Sequence, residues 1–282
     1  MKRLISPTFL ALVLAGGLSA PLALAKSEPS NDGVEVGKPS VLRNLVPAER
    51  LERSAAQQYA AIKRDAAAKR TLAPDSHPQT LRVRAIAQRI IAHAGRFHPK
   101  AAQWQWEVNL IGSQQVNAFC MPGGKIVFFS GILDRLQLSD DEIAIVMGHE
   151  VAHALREHAR ERVAKSELTR LGMSVVGASV GNGRYAQAFD LGGALLTLKF
   201  SRNDETEADL VGLELAARAG FDPRAGVSLW QKMTKAAGNG PPPWLSTHPS
   251  GPNRIREIQR QLPKVMPLYE RALREKRTPG TE

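Results

Sequence analysis

The chain has one cysteine, Cys120, among its 282 residues. No internal disulfide can form, so stability has to come from the core and from any bound metal. Cys120, next to Met121, reads as a small buried residue and not as a nucleophile. Acidic residues are the minority: 27 Asp and Glu against 38 Lys and Arg give a formal charge of +11. No nucleic-acid-binding motif accompanies that excess, and the basic residues are spread along helices between acids. The charge is read instead as attraction to an anionic membrane surface, for peripheral association, or to acidic clients. Beyond the first 25 residues no apolar run reaches the roughly 20 residues a membrane helix needs, so no transmembrane segment is expected in the mature chain. With 43% hydrophobic and 23% charged residues the composition is that of a globular domain.

Residues 1–25 have the layout of a secretory signal: Lys2 and Arg3, an apolar run from Phe9 to Leu14, and Ala23-Leu24-Ala25 as a cleavage site. No cysteine follows, which excludes a lipid anchor, and a periplasmic mature chain beginning near Lys26 is expected. Residues 26–47 lack periodicity and read as a flexible leader. A helix is expected over 48–75, with Leu51, Ala55, Tyr59 and Ile62 at helical spacing. A break at Pro74 to Pro78 precedes a second helix through Val83, Ile86 and Ile90.

From Trp104 the period becomes two, which predicts a half-buried strand ending near Leu110. Strands over Gln115–Cys120 and Lys125–Ser130 follow, joined by Met121-Pro122-Gly123-Gly124, where the glycines permit positive φ and the proline favours a sheet edge. Such an edge suits a substrate peptide added as an extra strand.

The strongest signal is His149-Glu150-Val151-Ala152-His153, on a helix opened by the capping box Ser139 and Glu142. Histidines four apart on a helix differ by about 40° around the axis and about 6 Å along it, so both can reach one zinc ion. Glu150 projects toward the same cavity, placed to take a proton from water. His158, about 140° from His153 on a continued helix, is expected to face solvent. The candidate for a third ligand is Glu205, on a helix opened by Ser201 and Asp204, with Asp209 four residues on to orient a ligand histidine. Glu207, about 200° from Glu205, should point away.

These stretches together with Asn117-Ala118-Phe119, Pro122-Gly123-Gly124, Ser246-Thr247-His248-Pro249 and Arg254 resemble the M48 family of zinc metallopeptidases, the gluzincins related to Ste24, HtpX and Oma1, in its soluble bacterial envelope form. The resemblance covers roughly residues 80 to 262, in four separated motifs. It implies an α+β fold, a mainly helical zincin-like shell around a small three-stranded sheet, with the metallopeptidase domain over 76–262 and a helical tail over 263–282. It also implies one zinc held by His149, His153 and Glu205, with Glu150 as catalytic base and Asp209 and Arg254 behind the ligands. His248 then acts as a fourth ligand or as an oxyanion donor, and Asn117, Ala118 and Phe119 line the substrate edge. The function implied is endopeptidase action on unfolded or misassembled envelope proteins. A chaperone-like assembly factor with a closed zinc site and a zinc hydrolase of peptidoglycan are the alternatives. The apolar segment from Leu171 to Phe200, with its tip at Gly181 to Arg184, is expected to form two close-packed helices that gate the cleft.

Overall fold

The computed structural model of the protein describes residues 32–180, 195, 198–237, 240, 242–249 and 253–277, with backbone alone for 170–180. The export signal expected over 1–25 and the gating tip expected at Gly181 to Arg184 lie outside these residues.

Helix α1 (Ala48–Ala68) buries Leu51, Ala55, Tyr59 and Ala66. It ends before residue 75 because Arg70 adopts φ +56 and Leu72 bridges to Ile111, so the chain leaves the helix to lie along a strand. Helix α2 (Pro78–Ile91) starts where the proline signal places it, with His77 Nδ1 accepting from the Gln79 amide at 3.2 Å. The sheet contains β1 (Glu107–Ile111), β2 (Ala118–Met121) and β3 (Lys125–Phe129) in the order β1-β3-β2, with β1 parallel and β2 antiparallel to β3. Gly123 and Gly124 take φ of +79 and +81 in the β2–β3 turn, as expected. The half-buried alternation expected for β1 does not hold, since Val108 to Ile111 are all buried. Asn109 turns inward and donates to Tyr59 Oη at 2.9 Å, so α1 covers the face the pattern had assigned to solvent.

Helices α3 (Ser130–Leu136), α4 (Asp140–Leu155) and α5 (His158–Val180) follow the sheet. They precede α6 (Arg202–Arg218), α7 (Ala225–Ala236), α8 (Pro243–Thr247) and α9 (Arg254–Arg277). Helix α4 is the centre of the molecule: every residue from Glu142 to Leu155 is buried. Its capping box is complete, and the Glu142 carboxylate also accepts from Ser228 Oγ and Lys232 Nζ, both at 2.7 Å. Helices α4 and α6 cross where Gly148 meets Gly212. A Cβ on Gly148 would stand 2.6 Å from the Gly212 carbonyl oxygen, and one on Gly212 would stand 2.6 Å from the His149 amide nitrogen. Gly148→Ala is therefore expected to cost about 1–3 kcal/mol by overpacking and to move His149 away from α6. Denaturant melts and metal content check this; unchanged stability with full zinc would show that the crossing relaxes freely.

Both ends of the described chain are built into the fold. From Asp32 onward the leader is tied to the domain, where the Val34 amide donates to Glu214 Oε2 at 2.6 Å and Arg218 to Asp32 Oδ1 at 2.8 Å. Glu214 is fully buried and needs such donors, and Arg96 and Arg218 supply two more at 2.7 Å. A 3-10 helix over Val41–Leu45 then leads into α1. At the other end α9 runs through residue 262 without a break, because Ile258, Val265, Leu268 and Ala272 form one buried stripe while Pro263 and Pro267 lie on the exposed side.

Candidate metal centre

The crossing of α4 and α6 brings His149, His153 and Glu205 together, and the turn after α8 adds His248; one donor atom from each lies within 4.8 Å of all the others. His149 Nε2 is 3.1 Å from His153 Nε2 and 3.3 Å from His248 Nδ1. Glu205 oxygens lie 3.6 Å from His149 Nε2, 3.4 Å from His153 Nε2 and 3.0 Å from His248 Nδ1. Donors about 2.0–2.1 Å from a tetrahedral zinc ion stand roughly 3.3 Å from one another. The five observed separations are 3.0–3.6 Å, and all four residues are 2–3% exposed. Nitrogen and carboxylate donors at these separations fit zinc.

The protonation states also fit. Burial, the largest influence on His153, drives its pKa well below the ordinary imidazole value, against the opposing hydrogen bond to Glu205. Burial raises the Glu205 carboxyl, but hydrogen bonds from His153 and His248 outweigh it and hold the group far below the carboxylate range. Neutral imidazole and ionised carboxylate are the ligand forms. His248 differs: burial disfavours its charge, yet Glu150 and Glu205 raise its pKa.

Around the donors lie Asp209 and Arg254. His149 Nδ1 is 3.0 Å from Asp209 Oδ1. Arg254 donates to Asp209 Oδ1 at 2.7 Å and to Glu205 Oε2 at 2.8 Å, with its guanidinium 3.7 Å over the Trp230 ring. The pKa of Asp209 is lowered: burial opposes its charge, and Arg254 and His149 together outweigh burial. Glu150 stays outside the donor set and accepts from Trp244 Nε1 at 2.6 Å. Trp244 also stacks on His248, with ring centroids 5.1 Å apart, and Phe200 stacks on His153 at 4.0 Å. Sequence reasoning passed over Trp244 and Phe200; only their adjacency to the His248 and Ser201 motifs hinted at a role.

His158 contradicts expectation. It is 1% exposed, with Nδ1 2.9 Å from His153 Nδ1 and Nε2 2.9 Å from Glu207 Oε2. The helix arithmetic failed because α4 stops at Leu155 and Glu157 takes φ +56, which folds the next residue back. Glu207 does point away from the donors, as expected, but toward this second histidine.

Strand β2 forms one edge of the sheet. Asn117, Ala118 and Phe119 share a cleft of about 210 Å³ with Glu150, His153 and His248. The free thiol of Cys120 lines the same cleft, and burial pushes its pKa well up, so it is no thiolate nucleophile. Among the described residues no helix is long and apolar enough to cross a membrane.

The sequence pattern of Peptidase family M48 matches residues 77–262. The mitochondrial metalloendopeptidase OMA1 of Schizosaccharomyces pombe is 39% identical over 194 residues, 68% of this chain and 56% of the relative. That of Saccharomyces cerevisiae is 32% identical over 216 residues, 71% and 60% respectively. The beta-barrel assembly-enhancing protease of Escherichia coli K12 is 27% identical over 199 residues, 66% and 39%. The chain thus spans about half the length of the curated relatives it matches. With the family pattern running from residue 77 to residue 262 and its separated pieces meeting at one buried donor cluster, the chain belongs to peptidase family M48, a family of zinc metallopeptidases.

Proposed function

We propose that the protein is a zinc-dependent endopeptidase acting on unfolded or misassembled proteins of the bacterial envelope. The observation that carries this is the buried cluster of four donor residues with Glu150 beside it, opening on the edge of β2. When bound by His149, His153 and Glu205, zinc supplies a Lewis acid that polarises a carbonyl and makes water acidic. Glu150 is the general base, taking the proton from water and returning it to the leaving amine. Trp244 holds one oxygen of that carboxylate, which leaves the other to work on the proton. Asp209 accepts from His149 Nδ1 and keeps its Nε2 facing the donor cluster, with Arg254 bracing the carboxylates of both Asp209 and Glu205.

A substrate peptide adds to β2 at Asn117, Ala118 and Phe119, where backbone hydrogen bonds ask little of its sequence. That suits a protease for unfolded chains. His248 is read as the fourth donor of a resting state, since its Nδ1 lies 3.3 Å from His149 Nε2 and 3.0 Å from a Glu205 oxygen. The envelope location rests on residues 1–25, whose central apolar run and small-residue end differ from the amphipathic, arginine-rich form of mitochondrial transit peptides. The name of the Escherichia coli relative agrees.

Incubation with an unfolded outer-membrane β-barrel protein is expected to yield fragments, with cleavage abolished by 1,10-phenanthroline and restored by zinc. His248→Ala should cleave faster, because the fourth position is then open to water. Binding without cleavage would favour the assembly-factor reading, and release of muropeptides with the protein left intact would favour peptidoglycan as substrate.

A further inference from the structure

The two ligand histidines are not held alike. His149 reaches a carboxylate, Asp209, directly, and an arginine clamps that carboxylate. His153 instead meets another imidazole, with the two Nδ1 atoms 2.9 Å apart and the rings nearly perpendicular at 75°. Two imidazole nitrogens at that distance share one hydrogen. With His153 Nε2 committed to the donor cluster, its hydrogen sits on Nδ1 and His158 Nδ1 is the acceptor. His158 then carries its own hydrogen on Nε2, which donates to Glu207 Oε2 at 2.9 Å. The other Glu207 oxygen pairs with Arg156, which also donates to the Gly37 carbonyl.

We propose that His158, backed by Glu207 and Arg156, is the positioning residue that fixes the tautomer and ring plane of His153. A carboxylate braced by arginine thus stands behind each ligand histidine, once directly and once through an inserted imidazole. The backbone is built for this. Glu157, in the left-handed region at φ +56, is held by Arg43 at 2.9 Å and Arg160 at 2.7 Å, and its turn brings His158 back over His153. A buried histidine with both ring nitrogens engaged in this order fixes a neighbour's orientation; it is not filling space. Phe200, stacked on the face of His153 at 4.0 Å, closes the remaining rotation.

The inference rests on reading the donor cluster as the zinc site, and the experiment separates the two. Zinc affinity of the full chain is measured by competition with a chromophoric chelator. His158→Ala is expected to bind zinc about 10–100-fold more weakly. His158→Asn, whose amide oxygen takes the place of Nδ1 as acceptor, regains most of the loss. Glu207→Gln also weakens binding, and adding it to His158→Ala costs nothing more, because Glu207 acts only through His158. If His158→Ala does not fold, Glu207→Gln is decisive, since this residue is partly exposed and its substitution removes only a charge. A space-filling role would lower the melting point of the zinc-free alanine and asparagine variants alike with zinc affinity unchanged, and that result overturns the proposal. His149→Ala is the control. If it loses zinc while His158→Ala and Glu207→Gln bind as tightly as the parent, the relay falls and the metal centre stands. If His149→Ala retains zinc, both readings fall together.

Discussion

Glu150→Gln is expected to lower peptide hydrolysis by about two to four powers of ten while zinc content and melting temperature stay at parental values. Glutamine keeps the volume and can still accept from Trp244 Nε1 through its amide oxygen, so the 2.6 Å hydrogen bond and the packing of α8 survive. What it cannot do is accept a proton. The loss should therefore appear in kcat with KM little changed, as for an interaction made only on the way to the transition state. Metal content should hold because Glu150 is not among the four donors. If the variant cleaved unfolded protein at the parental rate with zinc in place, Glu150 would not be the base. His248 is an ionisable group against it, with Nε2 3.6 Å from Glu150 Oε1, and the mechanism would have to be rebuilt there.

Glu205→Ala, and equally His153→Ala, should abolish high-affinity zinc binding and with it all hydrolysis. The readout is twofold. Metal analysis of the purified variants should show loss, and the zinc-dependent rise in stability should vanish; for the parent that rise is about 4 kcal/mol when free zinc is a thousandfold above its dissociation constant. Removing Glu205 also strips Arg254 of its 2.8 Å partner, though Asp209 still pairs with the guanidinium, so the metal-free variant should remain folded. Full zinc retention by Glu205→Ala would make His248 the third ligand and Glu205 its brace.

The legible part of this site followed helix geometry. His149, Glu150 and His153 share a turn, and Glu205 and Asp209 share another, so periodicity placed each set on one face whatever the rest of the chain did. Both capping boxes were readable for the same reason: the bonds from Ser139 to Glu142 and from Ser201 to Asp204 close within three residues. The β2–β3 turn was readable because only glycine takes φ near +80 without strain.

What the tertiary structure alone decided begins where a regular element ends. His158 was misplaced because helix arithmetic stops at Leu155, and the positive φ of Glu157 leaves no mark in the residue type. β1 was misjudged because alternation reports burial on one face only, while α1 covers the other. Trp244, on α8, and Phe200, just before α6, reach the donor cluster through chain directions set by long-range bonds such as Trp244 N to Val116 O and Phe200 N to Thr247 O, each 3.2 Å. His248 follows α8 to the same place, named by the family resemblance but placed there by no sequence period. Local chemistry thus determined which residues could hold zinc and work beside it. Which other groups press on them was determined by the Gly148 and Gly212 crossing and by non-local hydrogen bonds, whose partners lie too far apart in sequence for any period to connect.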